Sequence, residues 1–112
     1  MTGESIELRK ARRRIVEAAQ DVLDGRLSVL EGARKLAALR ADVDPAGKDR
    51  DLNGFAGIDS QSDHLPIGSS RKYWDVEALR LKDVDATDHE ALFRDSALRM
   101  CRNLVARYGP PS

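Results

Sequence analysis

The stretch Leu8-Arg9-Lys10-Ala11-Arg12-Arg13-Arg14-Ile15-Val16-Glu17-Ala18-Ala19-Gln20-Asp21-Val22 decides the fold class. Its apolar residues Leu8, Ala11, Ile15, Ala18, Ala19 and Val22 recur at spacings of three and four, which lays one stripe along a helix. Ser5 supplies an N-cap and Gly25 a stop. A second helix opens directly after. Ser28-Val29-Leu30-Glu31 reads as a capping box, in which the hydroxyl takes an orphan amide and Glu31 reaches back. Val29, Ala33, Leu36 and Ala37 form its buried face, and it ends near Ala41. The connection is so short that the two helices should pack as an antiparallel hairpin, each hiding a stripe that alone would be marginal in water.

Towards the C-terminus, Asp75 can cap a helix through Val76, Leu79 and Val84, and Thr87-Asp88-His89-Glu90 is a second capping box that would open another. In that last segment Ala91, Leu98, Cys101, Val105 and Tyr108 share one face, and Phe93, Ala97, Met100 and Leu104 share the adjoining one. So wide an apolar surface predicts a central core helix, ended by Gly109-Pro110-Pro111. No Gly or Pro lies between Asp75 and Tyr108. The two segments are therefore equally readable as one bent rod, with Lys82 to Asp88 exposed along it. The expected fold is mainly α: one domain of three to four helices over 1–112. A helical hairpin at about 5–41, a long, partly ordered central loop at about 42–74 and C-terminal helices at about 75–108 make it up.

Composition narrows the function classes. The 112 residues carry 19 basic and 19 acidic side chains, and 41% are apolar, which suits one small soluble domain. No apolar run approaches the roughly 20 residues of a membrane span, and the N-terminus has no basic region followed by an apolar one. A cytoplasmic location with no membrane partner is the resulting expectation. The single cysteine, Cys101, cannot form an internal disulfide, and with His64 and His89 it cannot build a Cys/His zinc site; no cofactor is expected. Charge is segregated: residues 1–40 carry a net +3, residues 41–70 a net −4 and residues 71–112 a net +1.

The acidic centre draws the functional reading, because about thirty residues without helical periodicity in a small domain are either disordered or functional. Residues 42–53 look like a mobile acidic loop. Residues 54–74 hold Phe55, Tyr73 and Trp74 with Ile58, Leu65 and Ile67, apolar groups that should fold back over the helices as an ordered Ω-type loop. The block Phe55-x-Gly57-Ile58-Asp59-Ser60-x-x-Asp63-His64-Leu65-Pro66-x-Gly68-x-x-Arg71-x-x-Trp74 resembles small bacterial proteins of unassigned function that join a helical hairpin, such a loop and a C-terminal helix. The likeness covers nearly the whole chain and implies the architecture alone. A looser similarity is to immunity proteins, which implies an inhibitor that caps a cognate toxin.

Four groups of residues have chemistry to weigh. Asp59, Asp63 and His64 offer two carboxylates and an imidazole to a metal or a substrate. Against that, Asx turns and a histidine bonded to a backbone carbonyl explain the same residues. Ser60 with His64 lacks the sharp turn that exposes a nucleophile, which disfavours a triad. Arg9 to Arg14 form a dense basic patch able to meet phosphates. The plain alternative is a solvated helix face in which Arg13 pairs with Glu17 at i,i+4. Arg71 and Tyr73 flank Trp74 and are of the types enriched in interface hot spots, whereas Trp74 itself suits a staple before the Asp75 cap.

The preferred expectation is a non-enzymatic protein-binding module, most concretely an immunity-like inhibitor of a partner toxin or effector. Asp59, Ser60, Asp63, His64, Arg71 and Tyr73 would contact the partner, and the central acids Asp42, Asp44, Asp49, Asp51, Asp59 and Asp63 would face a basic groove. A metal or ligand site at Asp59/Asp63/His64 and a nucleic-acid surface at Arg9–Arg14 are the alternatives. A homo-oligomer is compatible with all three.

Overall fold

The computed structural model describes residues 5–62 and 75–109. They form four helices, α1 (Ile6–Leu23), α2 (Val29–Val43), α3 (Arg50–Ser62) and α4 (Val76–Tyr108), with no strand among the described residues. The mainly α class is the one the periodicity predicts.

The hairpin forms for the local reasons the sequence gives. The Ser5 Oγ accepts from the Leu8 amide at 3.0 Å, and Ala11, Ile15, Ala18, Ala19 and Val22 are buried along α1. Gly25 turns the chain with φ +80°, a conformation that disfavours side chains. Both halves of the Ser28/Glu31 capping box are present. A Cβ at Gly32 would run into the Val22 side chain, so this glycine sets how closely α1 and α2 approach.

The centre departs from expectation, because residues 50–62 are helical instead of looped. Asp49 starts α3 by accepting from the Asp51 and Leu52 amides, each at 3.0 Å, and Asp44 ties the preceding turn through the Lys48 and Asp49 amides. Leu52, Phe55 and Ile58, three residues apart, are then buried on one face. Gly54 and Gly57 do not serve as breakers here. Gly54 faces α4 so closely that a Cβ would lie 2.5 Å from the Met100 sulfur, and Gly57 sits within the helix without a positive φ.

The C-terminal segment is one rod of 33 residues, about 50 Å long at 1.5 Å per residue. Thr87 caps nothing: its hydroxyl donates to the Asp83 carbonyl at 2.9 Å inside the unbroken helix. Glu90 instead reaches α2, where its carboxylate accepts from the Val29 amide at 3.0 Å and the Leu30 amide at 2.7 Å. That contact places the N-terminus of α2 at the level of residue 90, so the first half of α4 runs on past the α1–α2 turn, in a molecule measuring 57 × 25 × 23 Å. The core is built from Ile15, Leu30, Leu36, Leu52, Phe55 and Leu104, all fully buried, each such side chain contributing roughly 1.5–3 kcal/mol. Among the described residues of α4, Ala97, Cys101 and Leu104 are the buried ones. Ala91, grouped above with the core face, is exposed, and Val76 and Val84 are 81% and 60% exposed. The neighbours that would cover them are shorter helices of 13 to 18 residues.

Candidate functional site

Of the sequence-predicted contact residues, Asp59 and Ser60 lie in the last turn of α3, whereas Asp63, His64, Arg71 and Tyr73, with Trp74, lie outside the described residues. Asp59 accepts from the Arg34 Nε at 3.3 Å, and the same guanidinium donates to the Ser62 carbonyl at 3.2 Å. Arg34 thus ties down the C-terminal turn of α3, where orphan carbonyls favour a cation. Ser60 is exposed beside this pair and lines a groove between α2 and α3 with Ala37, Ala38 and Ala56. Among the described residues no three His, Cys, Asp or Glu side chains come together as a metal-binding group.

The central acids are not a uniform surface. Asp51 is buried, and its carboxylate accepts from Arg107 at 2.7 Å and from the Asn103 amide at 3.3 Å. Asp49 accepts from Arg107 at 2.8 Å and from the Tyr108 hydroxyl at 2.5 Å. Burial pushes the Asp49 carboxyl up. Its hydrogen bonds from Tyr108, the Leu52 amide and Arg107 outweigh that, and its pKa lies below the ordinary value. Burial and then the Asp49 bond push the Tyr108 hydroxyl up to about 12. Chiefly through the Asp51 bond, the Arg107 guanidinium is held still more firmly charged. This network fastens the end of α4 to the start of α3. It joins residues more than fifty positions apart, and no local pattern announces it. Cys101 is wholly buried, its thiol pushed up to about 12 by burial, which keeps it protonated and unreactive.

The surface that the sequence reading passed over is the outer side of α4. Leu81, Val84 and Leu92 are 69%, 60% and 72% exposed, and Asp85, Asp88 and Asp95 are exposed between them. At 100° per residue these six side chains fall within an arc of about 100°, opposite the arc that holds Ala97, Cys101 and Leu104. The signal was present as a second apolar spacing on the same helix, at Leu81, Val84 and Leu92. Among the described residues this face is left exposed because it points away from the side of α4 that packs on the bundle. Propagation from an anchored half costs far less than nucleation, which favours helix through this segment, and Ala86 packs against the core from it. The Asp75 cap on the Ala78 amide and the Glu77–Arg80 pair add to it locally.

No protein-family model, no curated protein and no solved structure matches the chain. Among the described residues no helix is long and apolar enough to cross a membrane.

Proposed function

We propose that this protein is a non-enzymatic protein-binding module that presents the outer face of α4 to its partner. The observation that carries this reading is the exposure of Leu81, Val84 and Leu92 on one side of a helix that outruns its bundle. Three large aliphatic groups in water are unfavourable, and an amphipathic helix laid into an apolar groove is a common way to cover them. Asp85, Asp88 and Asp95 interleave with them, which fits a groove with a cationic rim and would speed encounter with it. An immunity-like inhibitor, occupying the basic active-site groove of a toxin or effector, is the concrete form of this reading. Asp49 and Asp51 are committed to Arg107, and in this reading the acids that meet the groove are those on α4. A binding rather than catalytic role is supported by that commitment of the buried polar groups to one another.

Site-specific photocrosslinking tests the reading, with the reactive group placed at Leu81 or Leu92 and, as a control, at Lys35 on α2. The expected result is one heterologous protein joined from the α4 positions alone. That protein should also be lost when Leu81→Asp and Leu92→Asp are combined. Equal labelling from Lys35, or products containing only this chain, would overturn it.

A further inference from the structure

A second surface, on α1, lies outside the α4 reading. Arg9, Lys10, Arg13 and Arg14 are all exposed. Among the described residues none of these four cations lies within 4.0 Å of a carboxylate, whereas Arg26, Arg34, Arg80 and Arg107 each do. In particular Arg13 does not pair with Glu17, although the i,i+4 spacing allows it. Arg14 has Glu7 and Asp42 across a hollow at the start of α1, beyond pairing distance, so its charge is the most moderated of the four.

The arrangement works against the helix that carries it. Arg9 with Arg13, and Lys10 with Arg14, are like-charge i,i+4 pairs, which destabilise a helix where opposite charges would support it. Arg9 also sits near the positive end of the helix dipole. Among the described residues no ion pair offsets these like charges, and local rules broken in this way mark positions kept for something outside the fold. We infer that the exposed α1 face binds the phosphate backbone of nucleic acid through Arg9, Lys10, Arg13 and Arg14.

The chemistry selects that partner over other anionic surfaces. Three of the four cations are arginines, whose planar forks match phosphate oxygens, and at 100° per residue all four fall within about 140° of arc. Among the described residues Ile6 is the one large exposed hydrophobic beside them, too little apolar surface for the core of a protein interface. A lipid surface is disfavoured because the apolar stripe of α1 is buried in the core and cannot insert. Contacts to phosphate alone carry no sequence information, so binding would be sequence-independent and steeply dependent on salt.

The test is fluorescence anisotropy of a labelled mixed-sequence duplex of about 20 base pairs, titrated with the full chain between about 25 and 200 mM salt. Four phosphate contacts predict a log–log salt slope of about −3 to −4. Combining Arg9→Gln, Lys10→Gln, Arg13→Gln and Arg14→Gln should lower affinity at least about tenfold at low salt and flatten the slope towards zero. The melting temperature should stay unchanged or rise, because two repulsive pairs are removed. Combining Arg9→Lys, Arg13→Lys and Arg14→Lys, which keeps every charge, should keep the slope. No binding at the lowest salt, or an unchanged slope in the glutamine variant, overturns the inference. So does competition by polyglutamate as effective as that by unlabelled duplex, which would reassign the face to an acidic polypeptide.

Discussion

The two halves of α4 share one backbone and differ in almost everything else. The C-terminal half buries Ala97, Cys101 and Leu104 against three other helices and is fastened through Tyr108 and Arg107 to Asp49 and Asp51. The N-terminal half exposes Val76, Leu81 and Val84; its own helical bonds, the Asp75 cap, the Glu77–Arg80 pair and the packing of Ala86 against the core are among the contacts that hold it. Apolar periodicity is present in both. What separates them is which side of the helix carries the apolar groups and how far the neighbouring helices reach, so apolar residues become core in one half and exposed surface in the other.

That contrast can be broken most sharply at paired leucines. Leu104→Ala should cost about 2–5 kcal/mol, the range for a buried leucine whose cavity only partly collapses. Leu81→Ala, in the other half of the same helix, should stay within about 0.5 kcal/mol of wild type. Urea unfolding of both variants measures this. A large loss at Leu81 would mean that the outer face is packed.

The junction between the halves is Glu90. Its carboxylate holds two amides of α2, and Glu90→Ala should cost about 1–2 kcal/mol, the scale of a lost helix cap or charged hydrogen bond. The protection of the Val29 and Leu30 amides against hydrogen exchange should fall with it, while that of Ala78, capped by Asp75, should not change.

At the far end of the fastened half, Tyr108→Phe removes the hydroxyl bond to Asp49 and should cost about 1 kcal/mol near neutral pH. The pH dependence has a definite sign. The Tyr108 value is raised in the folded state from 10.0 to about 12, so its contribution is complete below pH 10 and is lost as pH rises towards 12. Cys101, raised from 9.0 to about 12, acts in the same direction. Wild-type stability should therefore fall above about pH 9, and in Tyr108→Phe the part of the fall above pH 10 should shrink. An unchanged profile would contradict the network.

The smallest effect is expected in the projecting half. The Glu77 and Arg80 side chains are 72% and 73% exposed, and Glu77→Gln should change stability by less than about 0.5 kcal/mol. A larger loss would show that the first turns of α4 carry tertiary weight.

The parts legible in the sequence are those fixed by local chemistry: the α1 stripe, the Ser5 and Asp75 caps, and the Ser28/Glu31 box. Helix α3 was obscured because Gly54 and Gly57 carry the marks of a turn, although Leu52, Phe55 and Ile58 held the helical spacing. Glu90 fitted a local capping box as well as it fits the distant amides it binds, and only tertiary placement separates those uses. Asp59 and Ser60, predicted as contacts, are placed at the end of α3 beside Arg34. The outer α4 face could not be read locally, because α4 carries apolar residues on more than one side and only tertiary packing decides which side becomes core.

The most direct measurement of the claim that this face is unpartnered within the bundle is a thermal melt followed by circular dichroism. The chain to use combines Leu81→Gln, Val84→Gln and Leu92→Gln. With nothing packed on those side chains, the melting temperature should stay within about 2–3 °C of wild type, because surface substitutions away from caps and cores rarely move stability. A drop of about 10 °C or more, the scale expected from opening a packed surface, would contradict the account and return this half of α4 to the core.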